Sequence, residues 1–103
     1  MSDEALAAVA KALAHPARIR ILRLLARQTE CRGSDVFAEL PLAQSTVSQH
    51  LAVLKDAGLV MSHAVGQSSV YCLAPDVVRS FAGELDSIVA SSPACSAQTE
   101  ECR

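Results

Sequence analysis

Residues Ala43–Val60, "AQSTVSQHLAVLKDAGLV", combine a buried pattern and a polar pattern on one predicted helix. Val47, Leu51 and Leu54 recur at helical spacing and predict one buried face. Gly58 is the residue type best suited to end that helix in the left-handed conformation. The polar face of a helix is usually only solvated. The function of this polar face must therefore be inferred from the neighbouring elements. Its short hydrogen-bonding side chains are Ser45, Thr46, Ser48, Gln49 and His50.

The segments before this stretch predict three helices. In "DEALAAVAKALA" (3–14) apolar residues recur at helical spacing, and acidic residues occupy the favoured N-terminal end. Pro16 suits the first turn of a second helix, "ARIRILRLLAR" (17–27), which has apolar residues on several sides and is therefore expected to be central. A short helix, "SDVFAELP" (34–41), follows with Ser34 as N-cap, and Pro41 forces a turn.

The segments after this stretch predict a hairpin and a last helix. "LVMSHAVGQSSVYCLA" (59–74) has β-branched ends around a predicted turn at residues 66–69. Pro75 and Asp76 open a helix to residue 90, and Pro93 interrupts its pattern. The chain is therefore divided into a domain at 1–91 and a flexible cysteine-containing tail at 92–103.

This order of elements predicts a winged helix-turn-helix, a mainly α (α+β) fold of about five helices and a two-stranded wing. In such a domain the second helix of the turn lies in the DNA major groove, where its exposed side chains meet base edges. Lys55 and the wing residues would meet backbone phosphates. The predicted DNA contacts are Gln44, Ser45, Thr46, Ser48, Gln49, His50, Lys55, Gln67 and Ser68.

Composition limits the alternatives. The chain has 103 residues, half of them apolar, which suits one packed core. Its net charge of −2 argues against coating nucleic acid by charge alone, so any DNA binding must be local. No membrane span or secretion signal can be read, which predicts a cytoplasmic protein. No nucleophile–base pair, phosphate loop or metal–water triad is visible, so we do not expect an enzyme or a required cofactor.

The chain resembles the ArsR/SmtB family of small bacterial metal- and metalloid-responsive repressors over about residues 4 to 90. The resemblance rests on "ALAHPARIRILRLL" (12–25), "LPLAQSTVSQHLAVLKDAGLV" (40–60) and "VYCLAP" (70–75). It implies a homodimer, joined through its first and last helices, that represses its own operon until an inducer binds. Wide apolar stripes on those two helices support a dimer independently. Its recognition helices would face an inverted repeat about one DNA turn apart.

Three features of the sequence depart from the family pattern. Ala43 stands where such helices often have a Ser or Thr N-cap, so about 1 kcal/mol of capping is missing unless Ser45 starts the helix. The wing "SHAVGQSS" (62–69) has no Lys or Arg, so few salt-sensitive phosphate contacts are expected unless His63 is protonated. The last helix contains no histidine, so the zinc site found between the last helices of some relatives is not expected.

The four cysteines are expected to be reduced thiols in this compartment. Cys31 stands where many arsenic-responsive relatives have a two-cysteine motif, but the second position is not a cysteine here, so only half of that site is present. Cys95 and Cys102 lie in a tail like that of relatives that bind trivalent arsenic or antimony. A straight helix would hold the two tail cysteines roughly 10 Å apart, so closure of a site needs a bent tail. Thiolates suit As(III) and Sb(III), with Cys31 as the third ligand. Cys72 is expected to pack in a strand beside Tyr71, with one of the two buried and the other exposed.

Two other functions remain open from the sequence. Cys31 could form a reversible disulfide or polysulfide link with a second cysteine, as in a thiol redox or reactive-sulfur sensor. Alternatively, the chain could bind DNA without any inducer. The inducer itself is also open, because an organoarsenical that needs two thiolates, or cadmium, would suit a subset of the same cysteines.

Overall fold

The computed structural model describes residues 1–27 and 38–93. In these residues the element order is α1 (Asp3–Leu13), α2 (Pro16–Ala26), α3 (Gln44–Asp56), β1 (Val60–Val65), β2 (Ser68–Leu73) and α4 (Pro75–Ser91). This arrangement is a winged helix-turn-helix, in which α3 occupies the position of the recognition helix, and it confirms the predicted fold class. Most of the predicted short helix at 34–41 lies outside the described residues, as do Cys31, Cys95 and Cys102.

The first two helices begin where the sequence predicts. The Ser2 hydroxyl accepts a hydrogen bond from the Ala5 backbone N–H at 3.1 Å and caps α1. Pro16 opens α2, and the ring of His15 caps it, with Nδ1 accepting from the Ala17 N–H at 3.1 Å. The predicted central role of α2 is also confirmed, because its Ile21, Leu24 and Leu25 are all buried.

Helix α3 packs its apolar stripe into the centre of the domain. Val47, Leu51 and Leu54 are buried against α2, as the periodicity predicts. Because each fully buried aliphatic side chain contributes about 1.5–3 kcal/mol, this stripe fixes the rotation of the helix about its axis. The opposite face of α3 therefore points away from the core.

The end of α3 is a tight left-handed cap. Gly58 has a φ of +79°, its N–H donates to the Lys55 carbonyl, and the Leu59 N–H donates to the Leu54 carbonyl, both at 2.9 Å. This pair of bonds defines a Schellman motif. A Cβ on Gly58 would lie 3.0 Å from Cγ2 of Val77, so α4 also requires glycine there. The motif turns the chain directly from the recognition helix into the wing.

The wing is a two-stranded antiparallel hairpin whose pairing runs from Val60 with Leu73 to Val65 with Ser68. Its turn is Gly66–Gln67, shorter than the predicted turn at 66–69, because Ser68 and Ser69 already belong to β2. Gly66 has a φ of +63° and no other residue of the turn has a positive φ. A glycine at the first turn position with positive φ is typical of a type II′ turn, which matches the twist of the strands.

Only the first half of helix α4 packs against the core. Val77, Val78 and Phe81, in its first half, pack against the buried cluster. In its second half, Leu85, Ile88 and Val89 are 44%, 56% and 70% exposed. None of the helices in residues 1–27 and 38–93 is long and apolar enough to cross a lipid bilayer.

Candidate nucleic-acid interface

The exposed face of α3 is the centre of the candidate interface. Gln44, Ser45, Ser48 and Gln49 are exposed, and Thr46 is half-buried. They occupy the first half of the helix, opposite the buried stripe. Amide and hydroxyl side chains in this position can donate and accept hydrogen bonds at base edges in a major groove. Lys55 is also exposed, one turn before the Gly58 cap.

The N-terminus of α3 lacks a side-chain cap. Ala43 occupies the N-cap position with extended backbone and no side-chain hydrogen bond, and the helix begins at Gln44 rather than at Ser45. The backbone N–H groups of this first turn are therefore not occupied by a capping side chain. Backbone N–H groups at the start of a helix that lack such a cap can donate to an anion such as a phosphate.

His50 does not belong to the exposed face, so its predicted contact with DNA is wrong. Its side chain is 9% exposed, and its Nδ1 accepts a hydrogen bond from Nε of Arg18 at 3.1 Å. Position 50 lies three residues after Val47 and four before Leu54, which places it on the buried face. That spacing was readable in the sequence and could have identified it.

His50 lies in a small cluster of basic side chains where α1, α2 and α3 meet. Its ring is 4.4 Å from the ring of His15, and the Arg18 guanidinium lies beside it. Burial disfavours the charged imidazolium, and the charges of His15 and Arg18 add to this, so the pKa of His50 is lowered from its ordinary value. Because Nδ1 accepts a hydrogen bond from Arg18, the His50 ring is the neutral imidazole in this structure.

Arg18 is a structural residue that no sequence pattern indicated. Besides bonding His50, its guanidinium donates to the carbonyls of Lys11 and Ala12 at 3.4 and 3.3 Å, at the C-terminal end of α1. A cation at this end of a helix is favourable, because the last carbonyls have no partners within the helix. One side chain therefore joins α1, α2 and α3.

The wing carries exposed polar side chains but no Lys or Arg. Gln67 and Ser68 are exposed at the turn and at the start of β2. Their amide and hydroxyl groups can donate to phosphate oxygens without a charge. His63 is exposed on β1.

The thiol and metal predictions are mostly outside the described residues. Cys31, Cys95 and Cys102 all lie there, so the structure does not test them as ligands. Cys72, in β2, is part of a disulfide bond, which overturns the expectation that it is a reduced packing thiol. Cys72 and Tyr71 are both half-buried, so the predicted alternation between them is wrong as well. Within residues 1–27 and 38–93, no three His, Cys, Asp or Glu side chains are grouped to hold a metal ion.

Comparison with known proteins agrees with this geometry. Residues 15–62, which contain α2, the turn and α3, match the family described as "Bacterial regulatory protein, arsR family". The chain is 38% identical over 89 residues to the HTH-type transcriptional regulator CmtR of Mycobacterium tuberculosis, covering 86% of this chain and 75% of CmtR. It is 39% identical over 69 residues to the arsenic resistance transcriptional regulator ArsR1 of Pseudomonas putida, covering 67% and 54%.

A solved structure with the same fold comes from Mycobacterium bovis. The solution structure of the homodimeric winged helix-turn-helix DNA-binding domain of Mb0332, a possible ArsR-family regulator, superposes with a TM-score of 0.67. Sequence identity is 35%, and the match covers 87% of each chain. The present chain spans only 61% of the length of another mycobacterial regulator that it matches.

Fold and comparisons together identify a winged helix-turn-helix domain of a bacterial regulatory-protein family. The chain belongs to the ArsR family.

Proposed function

We propose that this regulator is a homodimeric repressor that binds an inverted-repeat operator and is released by a thiol-binding inducer, foremost trivalent arsenic or antimony. The observation that carries its DNA-binding part is the division of α3. One face is buried through Val47, Leu51 and Leu54, and the first half of the other face presents the exposed amides and hydroxyls of Gln44, Ser45, Ser48 and Gln49.

The side chains on α3 suit direct reading of bases. Gln44 and Gln49 carry amides, which pair well with adenine, whereas Ser45 and Ser48 can donate to or accept from several base edges. Lys55, Gln67 and Ser68 lie farther from the start of the helix and suit phosphate contacts. In this proposal α3 determines which base sequence is preferred, and the phosphate contacts of the wing and Lys55 fix the position of the protein on the duplex.

A dimer follows from the surface that α1 and α4 share. The N-terminal ammonium of Met1 forms an ion pair with Glu84 at 2.9 Å, so the start of α1 lies against α4. Beside it the second half of α4 exposes Leu85, Ile88 and Val89. Apolar side chains grouped in this way favour a partner surface, and a two-fold dimer is the commonest solution. The homodimeric state of the Mb0332 domain supports the same arrangement.

The proposed inducer follows from the side chains that would bind it, which are cysteine thiolates. Cys31, Cys95 and Cys102 would provide up to three thiolates, which favour soft ions and pnictogens over metals that prefer oxygen ligands. The likeness to ArsR1, a regulator named for arsenic resistance, supports arsenic as the first inducer to test. Binding would favour a dimer whose two recognition helices no longer match the operator spacing.

One observation favours a second candidate, a thiol-oxidation sensor. Cys72 is part of a disulfide bond, so at least one cysteine of this chain has a partner sulfur within bonding distance. A regulator of this kind would release DNA when a cysteine pair is oxidised and bind again after reduction. The two candidates differ in whether the fully reduced protein responds to arsenite.

The test is release of a fluorescent promoter duplex from the fully reduced protein, titrated with arsenite, phenylarsenical, cadmium and an organic persulfide. We expect arsenite to release the duplex from the wild type and from the Cys72→Ser control. Cys31→Ser, Cys95→Ser and Cys102→Ser should each weaken that response. Release by persulfide alone, with arsenite inert, would replace the arsenic proposal by the thiol-oxidation sensor. DNA binding that ignores all four compounds would refute both.

A further inference from the structure

Helix α2 carries its arginines on two sides with different environments. Arg18 is half-buried and bonded to His50 and to the end of α1. Arg20, Arg23 and Arg27 are exposed. Their spacing of three and then four residues aligns them along one side of the helix, which we call the arginine stripe.

The arginine stripe lines a groove of about 570 Å³ that opens to solvent. Within residues 1–27 and 38–93, none of its three guanidinium groups has an ion pair or a side-chain hydrogen bond. Glu39 also lines the groove and has an interaction of its own. The described residues that line the groove carry three cations and one carboxylate, which favours anions, and the planar guanidinium suits phosphate oxygens in particular.

Arg20 connects this groove with the turn that precedes the recognition helix. A second, smaller groove of about 290 Å³ shares Arg20 and is bordered by His15–Ala17 and by the turn at Leu40–Leu42. Ala43 and Gln44 come next and are exposed. Arg20, the first residue of the arginine stripe, therefore borders the turn from which the proposed base-reading face of α3 begins.

Among the described residues, the rest of the candidate interface carries a single formal positive charge. Lys55 is the one Lys or Arg on α3, and β1, β2 and their turn have none. The other exposed basic side chains of the described residues, Lys11 and Arg79, stand singly on α1 and α4. Binding to duplex DNA nonetheless depends strongly on neutralising phosphates. The arginine stripe is the densest source of that charge among the described residues.

We propose that Arg20, Arg23 and Arg27 bind the phosphate backbone of the operator beside the major groove entered by α3. This inference rests on the proposed role of α3. It assigns the main phosphate contacts to α2 instead of the wing, and predicts that they add affinity without sequence preference, since phosphate contacts carry no sequence information.

The test compares two double variants that remove the same amount of charge. Arg23→Gln with Arg27→Gln removes two cations from the stripe, and Lys11→Gln with Arg79→Gln removes two from elsewhere. Both are titrated with a fluorescent duplex of the promoter upstream of the protein's own gene, and with a shuffled duplex, between about 50 and 200 mM salt. Circular dichroism and urea midpoints establish that each variant is folded.

We expect the stripe variant to bind both duplexes more weakly by a similar factor. The slope of log affinity against log salt should fall by about 0.9 for each phosphate that is no longer neutralised, hence by about two units for two phosphates. The Lys11 and Arg79 control should keep the wild-type slope. Replacing Arg23 and Arg27 by lysine should restore most of the slope, because charge is kept.

Equal salt slopes for the two double variants would refute phosphate binding by the arginine stripe and would leave the proposed function intact. A wild type that prefers the promoter duplex, with a stripe variant that loses only this preference, would also contradict it, since the arginines would then contact bases. A wild type that binds neither duplex would refute the proposed function itself, and the stripe with it.

Discussion

Nε of Arg18 donates to Nδ1 of His50 across 3.1 Å, which links the first turn of α2 to the middle of the recognition helix. Because a guanidinium has donors only, Nδ1 of His50 must be unprotonated, with the ring proton on Nε2. The same arginine reaches two carbonyls at the end of α1. A helix that we place on DNA is thus connected through one residue to a helix that we place at the dimer interface.

Replacing Arg18 should destabilise the domain. Arg18→Ala removes the donor to a buried acceptor as well as the bonds to α1, and leaving one buried polar group without a partner costs about 1–3 kcal/mol. We expect the free energy of unfolding to fall by an amount in this range, measured by urea denaturation of the reduced protein. Arg79→Ala, at an exposed position on α4, should stay within about 0.5 kcal/mol of the wild type. Equal effects of the two substitutions would show that the Arg18 bonds contribute nothing.

The free energy of unfolding should depend on pH through His50. In the unfolded chain this histidine titrates near its ordinary pKa of 6.5, whereas burial and the nearby charges of His15 and Arg18 lower its pKa in the folded state. Between these two pKa values the unfolded state binds more protons than the folded state. The contribution of His50 to the free energy of unfolding is therefore fully present above pH 6.5, falls as the pH drops towards the folded-state pKa, and levels off below it.

His50→Asn provides the matched variant, because its amide oxygen can accept from Arg18 without titrating. Urea unfolding as a function of pH should show a smaller decrease below 6.5 for this variant than for the wild type. His63→Asn, at the exposed wing histidine, should keep the wild-type decrease. An unchanged pH profile in His50→Asn would contradict the assignment.

The uncapped start of α3 offers a stabilising substitution. Ala43 has the extended backbone of an N-cap residue but no side-chain oxygen to accept from the first turn. Ala43→Ser should raise the free energy of unfolding by about 1 kcal/mol. Ala52→Ser, at an exposed position inside the same helix, should not raise it, because serine is the poorer helix former. A gain from Ala52→Ser equal to that from Ala43→Ser would point to a cause other than capping.

The exposed apolar side of α4 should decide the oligomeric state. Ile88→Glu would place a carboxylate where the proposed dimer excludes water, and an unpaired buried charge costs several kcal/mol. We expect the dimer dissociation constant to rise by at least about a hundredfold, which corresponds to nearly 3 kcal/mol. Val65→Glu, at an equally exposed position in the wing, should leave the dimer intact in sedimentation velocity. A monomeric wild type would contradict the proposed dimer outright.

Local patterns made much of the fold predictable. Helical spacing identified α1, α2 and the buried side of α3, and proline and glycine marked Pro16 and Gly58 as helix boundaries. The hairpin was predicted in the right place, although Ser68 and Ser69 were assigned to its turn. Turn length depends on a register that only strand pairing fixes, so this error was in the boundary and not in the element.

The contacts between elements were not predictable in the same way. His50 and Arg18 are 32 residues apart, and nothing in the spacing of either residue indicates the bond between them. The polarity of His50 suggested solvent exposure, but a buried polar side chain is stable when a partner satisfies it. The disulfide of Cys72 is likewise a tertiary contact, and no local sequence pattern in β2 indicates it.

The most direct test of the central claim, that the exposed face of α3 reads DNA sequence, is the affinity of Gln49→Ala for the promoter duplex and for a shuffled duplex. Gln49 is exposed, so its truncation should leave stability unchanged, and Ser80→Ala on α4 serves as an equally exposed control. Removal of a base contact should weaken promoter binding by about 1–3 kcal/mol and leave shuffled-duplex binding nearly unchanged. An equal weakening on both duplexes, or none on either, would contradict the claim.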